Sequence, residues 1–167
     1  MINQKVIVKD NLLDISEHDI IHDTLFSNDF PWYYRPDQVE GKKDGSFFAH
    51  QFFWGIKGYI ETTDLIMPII HKLMPINAFV SIRANMLINK GKPNVSDWHQ
   101  DFGHLDSNEI KTAIYYVNTN NGYTELRDYG KVESVANRLV TFPNKMDHRA
   151  VAQTDEEARV VINFNYY

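Results

Sequence analysis

The hydrophobic pattern changes midway along the chain, from the 3.6-residue period of helices to the two-residue period of strands. In residues 79–89 the even positions are apolar, while Arg83 and Asn85 lie between them. Residues 159–166 repeat this alternation, with polar positions that begin at Arg159. A barrel filled only with its own side chains does not favour arginine and asparagine inside, because unpaired polar groups are costly to bury. The pattern therefore predicts two strands that pack on helices with one face and line a ligand cavity with the other.

Two helices are predicted before these strands. A segment similar to a capping box at 16–19 precedes apolar residues on one helical face, among them Ile20 and Leu25. A second apolar stripe at 65–73 has helical spacing and predicts a helix that begins near Asp64. We expect both stripes to cover the apolar faces of the two alternating strands.

Further strand signals complete a mainly β fold with N-terminal helices. They lie at 97–102, 111–118, 131–135, 138–142 and 147–152. Short antiparallel strands after two helices predict a double-stranded β-helix, or jelly roll. The sequence contains no internal repeat or linker, so residues 1–167 are expected to form a single domain. In this interpretation 1–75 are a helical and irregular support, and 76–167 are the jelly-roll core.

Composition limits the partners and the chemistry. The net charge of −5 argues against duplex nucleic acid as the main partner. No apolar run reaches the roughly 20 residues that span a bilayer, and the first residues lack a signal-peptide core. We therefore expect a cytoplasmic protein without membrane attachment. Because the chain has no cysteine, histidine and carboxylate side chains must provide any metal site.

Two His-x-Asp triplets occur, at 99–101 and 104–106. Seven histidines and 22 acidic residues produce about one His-x-Asp/Glu triplet by chance, so the sequence context must separate the two. Residues 97–102 can form a strand in which His99 and Asp101 share one face. The second triplet begins a polar turn, which is typical of solvated surface. We therefore expect His99 and Asp101 to bind a metal.

His148 is the third candidate ligand. It begins a predicted strand, and Arg159 follows 11 residues later, after a turn candidate at 153–157. The two flanking strands are expected to pair antiparallel and to bring both side chains to the same end of the barrel. Two histidines and one carboxylate bind Fe(II) on one face and leave other positions open. A nearby arginine offers a two-pronged partner for a carboxylate.

The order His99-x-Asp101, His148, Arg159 on a predicted jelly roll resembles the Fe(II)- and 2-oxoglutarate-dependent dioxygenases, in particular their prolyl 4-hydroxylase-like branch. The resemblance covers the predicted jelly-roll core. The sequence Thr-Ala-Ile-Tyr-Tyr-Val-Asn at 112–118 is similar to the family's strand that ends in Tyr-Tyr-Leu-Asn.

The resemblance implies that the two histidines and the aspartate hold Fe(II), and that Arg159 binds the far carboxylate of 2-oxoglutarate with Tyr115 beside it. Either Asn85 or Asn89 is expected to take the place of a tyrosine that prolyl hydroxylases carry upstream of the His-x-Asp triplet, and Asn85 is preferred because it shares a face with Arg83. Where the family often has serine or threonine two residues after the arginine, this chain has Val161. The implied reaction is hydroxylation of a peptidyl proline or a small molecule, with ascorbate as an optional accessory.

Two alternatives stay open. A non-catalytic, cupin-like jelly roll would bind a metal or a carboxylated ligand without turnover. A structural jelly roll with incidental histidines would bind no metal.

Arg83 is the competing candidate for the cosubstrate anchor, because it shares an inward polar face with Asn85.

Overall fold

Eleven strands and two α-helices make up the part of the chain that the computed structural model describes, residues 6–55, 57–59, 62–105 and 108–167. Their order is β1 (Ile7–Lys9), α1 (Ile15–Leu25), β2 (Tyr33–Arg35), β3 (Phe47–Trp54), β4 (Gly58–Tyr59), a 3-10 turn (Thr63–Ile66), α2 (Met67–Leu73), β5 (Phe79–Ile88), β6 (Lys111–Tyr116), β7 (Tyr123–Leu126), β8 (Gly130–Glu133), β9 (Arg138–Pro143), β10 (His148–Val151) and β11 (Ala158–Tyr166). No described helix is long and apolar enough to cross a membrane.

The strands form two antiparallel sheets with a cavity between them. The large sheet has the order β1-β9-β6-β11-β5-β3-β2, with β4 beside β3, and the small sheet has the order β10-β7-β8. Strands β5 and β11 from the large sheet and β7 and β10 from the small sheet all contribute side chains to the cavity. The predicted mainly β jelly roll with N-terminal helices is confirmed.

The antiparallel pair β5–β11 has two chemically different faces. Ile82 and Ile162 belong to the apolar face, which packs against Ile21 of α1 and Ile69 of α2 in one buried cluster. The opposite face lines the cavity with Arg83, Asn85, Arg159 and Asn163. The face assignment made from the two-residue period is therefore confirmed.

Helix α1 begins earlier than the sequence pattern predicted. Asp14 is its N-cap, and Glu17 completes the capping box. This start places His18 and Ile21 on the buried stripe, whereas Ile20, predicted to face the core, is 63% exposed. The helical stripe is correct in spacing but is rotated relative to the prediction.

The first 75 residues also contribute four strands that the sequence prediction missed. The longest, β3, pairs with β5 and carries aromatic side chains on both faces, so its sequence shows no polar alternation. Phe47 packs on the cavity side and Phe52 in the helix-side core. A register shift between Gln51 and Phe53 further hides the two-residue period.

The segment 97–102 is not a strand, which corrects the sequence prediction. Only His99 pairs with a neighbouring strand residue, through two backbone hydrogen bonds with His148 of 3.0 and 2.9 Å. The chain turns from Asp101 onward, because the backbone N–H of Phe102 donates to the side-chain oxygen of Asn144, at 3.3 Å, instead of to a strand.

The predicted pairing of the strands around 148 and 159 is also wrong. Strand β10 pairs with β7 in the small sheet, whereas β11 pairs with β5 and β6 in the large sheet. The connecting segment passes from one sheet to the other, and the buried side chain of Gln153 anchors it by donating to the backbone oxygen of Leu87 in β5, at 3.0 Å. The two strands therefore face each other across the cavity.

We expect Ile162→Ala to lower the free energy of unfolding by about 2–5 kcal/mol, since it leaves a cavity between β11 and the helices. Urea denaturation measures this change. Ile20→Ala is the matched control, and its effect should stay within about 0.5 kcal/mol because Ile20 is exposed. Equal effects of the two substitutions would contradict the packing described above.

Candidate metal centre and ligand cavity

His99, Asp101 and His148 converge on one point. Their candidate ligand atoms all lie within 4.8 Å of one another. The Asp101 Oδ1 atom is 3.7 Å from the Nε2 atom of His99 and 3.6 Å from that of His148. Backbone pairing of the two histidines places them side by side, and the turn after His99 brings the carboxylate back toward both rings. The three residues therefore come together without the shared strand face from which they were predicted.

The hydrogen bonds of the two imidazoles leave their Nε2 atoms available to a metal. The Nδ1 atom of His99 lies 3.0 Å from the Asp97 carbonyl oxygen, and that of His148 lies 3.2 Å from the Met146 carbonyl oxygen. A carbonyl only accepts, so Nδ1–H donates in both rings and the lone pair of each neutral ring resides on Nε2. The Nε2 atom of His148 is buried and has no hydrogen-bond partner among the described residues. Two imidazole nitrogens and one carboxylate form a donor set that fits Fe(II).

Mutual attraction keeps the carboxylate of this set ionised. Burial opposes ionisation, but the neighbouring histidines and a hydrogen bond from Asn165 hold the pKa of Asp101 well below its ordinary value. Burial would lower the pKa of His148, yet its attraction to Asp101 raises that pKa. Burial, and then repulsion from His148, lowers the pKa of His99. Asp101 therefore carries a negative charge that two nitrogen donors face.

A hydrogen-bond network holds Asp101 in place. The side-chain amide of Asn165 donates to Asp101 Oδ2 at 2.9 Å and to the hydroxyl of Thr112 at 3.0 Å. Asn144 accepts from Thr112 at 3.4 Å and from the backbone N–H of Phe102. Because Oδ2 is bound to Asn165, Oδ1 is the oxygen turned toward the histidines. Asn165 was not predicted as a site residue, although it lies on the inward polar face of β11.

The cavity beside the triad is lined by polar groups whose hydrogen-bonding capacity is not met. The side-chain oxygens of Asn85 and Asn163 are buried without a hydrogen-bond partner in the described part of the chain. Both side chains line the cavity together with His99, His148 and Arg159. Buried polar groups normally have partners, so these atoms mark a cavity that suits a polar ligand.

Arg159 is buried in this cavity, with 2% exposure. Its Nε atom donates to the Ser134 hydroxyl at 2.8 Å, and Nη2 donates to the Thr124 hydroxyl at 3.1 Å. Gly122 makes room for the side chain, because a Cβ atom there would lie 2.9 Å from the Arg159 Cδ atom. No described carboxylate lies within 4.0 Å of the guanidinium, and burial lowers the pKa of Arg159. A guanidinium with hydroxyl neighbours and an unmatched charge is suited to bind a carboxylate.

The expectation that Tyr115 lies beside Arg159 is wrong. Tyr115 is paired with Ile162 in the register of β6 and β11, and it therefore shares the helix-facing side of the sheet. Its hydroxyl bonds to His18 at 2.7 Å and to Asn137 at 3.1 Å. The next residue, Tyr116, faces the cavity side, and its ring centroid lies 5.7 Å from the guanidinium carbon of Arg159.

His104, the histidine of the second His-x-Asp triplet, is not among the converging ligand residues. His104 is exposed, as expected for a polar turn, and Asp106 lies outside the described residues. The sequence context thus selected the triplet whose side chains the structure brings together with His148.

Comparisons with known proteins show that solved structures share the fold of this chain. No protein-family model and no curated protein matches the chain. A prolyl hydroxylase of Trichoplax adhaerens, solved with a peptide of hypoxia-inducible factor, has a TM-score of 0.67 at 12% identity, over 97% of this chain and 83% of that one. A Pseudomonas putida prolyl-4-hydroxylase has a TM-score of 0.64 at 13% identity, over 98% and 93%. The chain has the fold of these oxygenases.

The same fold is shared with enzymes of other chemistry. The non-heme, alpha-ketoglutarate-dependent carbocyclase SnoK of nogalamycin biosynthesis has a TM-score of 0.70 at 15% identity, over 98% of this chain and 79% of that one. Identities this low show a shared architecture, and the chemistry of this chain depends on its own residues.

We expect Asp101→Ala to abolish high-affinity binding of divalent metal, because it removes the only anionic donor of the triad. Isothermal titration of the purified protein with Co(II) under nitrogen measures the affinity. Asp97→Ala, which removes an exposed neighbouring carboxylate, is the control and should bind Co(II) like the parent protein. Metal at 100 times its Kd should stabilise the parent protein by about 2.7 kcal/mol. Retention of Co(II) binding by Asp101→Ala would contradict the assignment.

Asn165→Leu should weaken Co(II) binding by about 10- to 100-fold, since it frees the carboxylate to turn away from the histidines. Urea unfolding of the metal-free protein separates this effect from a loss of the fold. If the loss of Co(II) binding free energy were matched by an equal loss in the free energy of unfolding of the metal-free protein, Asn165 would have a structural role alone.

Proposed function

We propose that the protein is an Fe(II)- and 2-oxoglutarate-dependent oxygenase that hydroxylates a peptidyl or small-molecule substrate. The observation that carries this proposal is the buried, carboxylate-free guanidinium of Arg159 in the same cavity as the His-Asp-His set. A metal site alone accounts for the triad. A metal site together with a buried anion site accounts for both the triad and Arg159. A dicarboxylate that binds the metal with one end would occupy the two sites at once.

The chain's own residues have distinct roles in this proposal. His99, Asp101 and His148 would hold Fe(II) through Nε2, Oδ1 and Nε2. Arg159 would pair with the far carboxylate of 2-oxoglutarate, with the hydroxyls of Thr124 and Ser134 orienting the guanidinium. These hydroxyls come from β7 and from the residue after β8, both at the small sheet, whereas the family pattern places one two residues after the arginine on the same strand.

Asn85 and Asn163 are the nearest candidates to orient the rest of the cosubstrate. Both line the cavity and both have a side-chain oxygen without a described partner, and an amide N–H of either would be able to donate to a bound carboxylate. No side-chain acid or base is assigned.

Bound Fe(II) and 2-oxoglutarate supply the oxidising chemistry, in which O2 converts 2-oxoglutarate to succinate and CO2 while a substrate C–H bond becomes C–OH. The protein contributes orientation and exclusion of bulk water. The packed face of β11 and the aromatic side chains of β3 shield the cavity from two sides. Such shielding favours productive oxidation over side reactions.

Addition of Fe(II) and then 2-oxoglutarate under nitrogen should produce the visible absorption of an iron–2-oxoglutarate chelate. Exposure to O2 should then release succinate, measured by liquid chromatography and mass spectrometry. His148→Ala is the inactive control, because it removes a metal ligand. Metal binding without any 2-oxoglutarate binding would favour the cupin-like metal module, and absence of metal binding would favour a structural jelly roll.

Arg159→Lys should weaken 2-oxoglutarate binding by about tenfold or more while metal affinity persists, because lysine keeps the charge but loses the two-pronged geometry. The measurement is titration of the Co(II)-loaded protein with 2-oxoglutarate. Arg83→Lys is the matched comparison and should bind 2-oxoglutarate like the parent protein. The opposite result in the two variants would move the anchor to Arg83.

A further inference from the structure

Arg83 lies at the junction of two spaces. It lines the cavity that contains His148 and Arg159, and it also lines an outer groove. Among the described residues only Gln38 and Phe47 share this double position. A molecule that extends from the groove toward the metal centre must therefore pass the Arg83 side chain.

The guanidinium of Arg83 has no hydrogen-bond or ion-pair partner in the described part of the chain. It makes no hydrogen bond there and has no carboxylate within 4.0 Å, and its carbon atom lies 5.6 Å from the centroid of the Phe47 ring. Asp101 attracts it from the metal centre and Arg35 repels it from the groove. Arg83 is half-buried, and a guanidinium has five N–H donors and stays charged, so one that lacks a carboxylate in a cavity wall is suited to bind an anion.

The groove itself does not supply that anion. Besides Arg83, its charged lining residues are Arg35 and Lys57, which are positive, and Asp37 and Glu40, which are negative. These four charges cancel, and the charge of Arg83 remains. The groove thus has one excess positive charge at the end that opens on the metal centre.

The ligands of the proposed function do not neutralise Arg83 either, and here the inference rests on that function. The charges of a divalent metal, Asp101, a dicarboxylate cosubstrate and Arg159 cancel among themselves. Arg83 therefore keeps its positive charge after metal and cosubstrate have bound. The remaining component of the reaction, the substrate, is the one that can match it.

We propose that Arg83 binds a carboxylate of the substrate and that the outer groove selects an organic acid with an apolar or aromatic body. Phe47 and Trp54 give the groove aromatic walls. Trp54 also lies 6.0 Å, between ring centroids, from Phe102, the residue next to the metal ligand Asp101. An acid held at Arg83 and along Trp54 would present its carbon chain to the metal centre. A single carboxylate matches both the single excess charge and the fork of one guanidinium.

The test uses 4-fluorophenylacetate and its neutral analogue 4-fluorophenylacetamide as probes, observed by fluorine NMR. The protein is loaded with Zn(II), which takes the place of Fe(II), and with saturating 2-oxoglutarate. The acid should bind at least tenfold more tightly than the amide. Arg83→Gln should remove this preference, and Arg83→Lys should reduce it.

Arg127→Gln is the matched control, because it removes an equal charge from an arginine that is already paired with Asp147 at 2.9 Å. It should keep the preference for the acid. Zn(II) affinity and urea unfolding of each variant establish that the fold and the metal centre persist. If Arg83→Gln does not fold, the Arg83→Lys result decides.

Three results would overturn the inference: no binding of the acid, equal binding of acid and amide, or displacement of the acid by excess 2-oxoglutarate, which would place it at Arg159. Tighter binding of 4-fluorophenyl phosphate than of the acid would overturn the choice of a carboxylate. The proposed function fails separately, if the parent protein with Zn(II) does not bind 2-oxoglutarate. Binding of the acid can then still be measured with Zn(II) alone.

Discussion

The antiparallel pairing of β5 with β11 determines where the functional groups lie. On one side of this pair, Ile82 and Ile162 are buried against the helices, and that apolar contact stabilises the arrangement. The same register forces Arg83 and Asn163, which are paired across the two strands, to the opposite side. Polar side chains are therefore held inside the barrel at a cost in desolvation, which the apolar face offsets. The cavity has a polar wall because the paired strands β5 and β11 have one apolar face and one polar face.

The parts of the structure that follow from local alternation could be predicted from the sequence. The two-residue period in β5 and β11 identified both the helix-facing and the cavity-facing side chains, including Arg159. His99 and Asp101 were selected correctly as neighbours, yet for an incomplete reason. They meet because the backbone of His99 pairs with His148 and the chain then turns, whereas the prediction relied on a regular strand.

The parts that depend on register between distant strands could not be predicted. Tyr115 and Tyr116 are adjacent and chemically alike, and only the pairing of Tyr115 with Ile162 decides which of them faces the helices. Asn165 lies on the inward polar face of β11, but only its contact with Asp101 shows that it holds the carboxylate. Because β3 carries aromatic residues on both faces, its sequence lacks the alternation of polar and apolar residues that predicts a strand. Features that depend on the alternation within one strand could therefore be predicted from the sequence, whereas features that depend on the alignment of two strands could not.

The charges of the cavity make metal binding and anion binding mutually dependent. Arg149 is neutralised by Glu125 at 2.7 Å, but neither Arg83 nor Arg159 has a described carboxylate within 4.0 Å, and the attraction of Asp101 reaches only Arg83. A guanidinium does not lose its proton in the physiological range, so titration cannot relieve the imbalance. A divalent cation at the triad would increase it, unless an anion enters the same cavity. Each ligand therefore lowers the electrostatic cost of the other, and by linkage the affinity for a dicarboxylate must rise with metal occupancy by the same factor as metal affinity rises with the dicarboxylate.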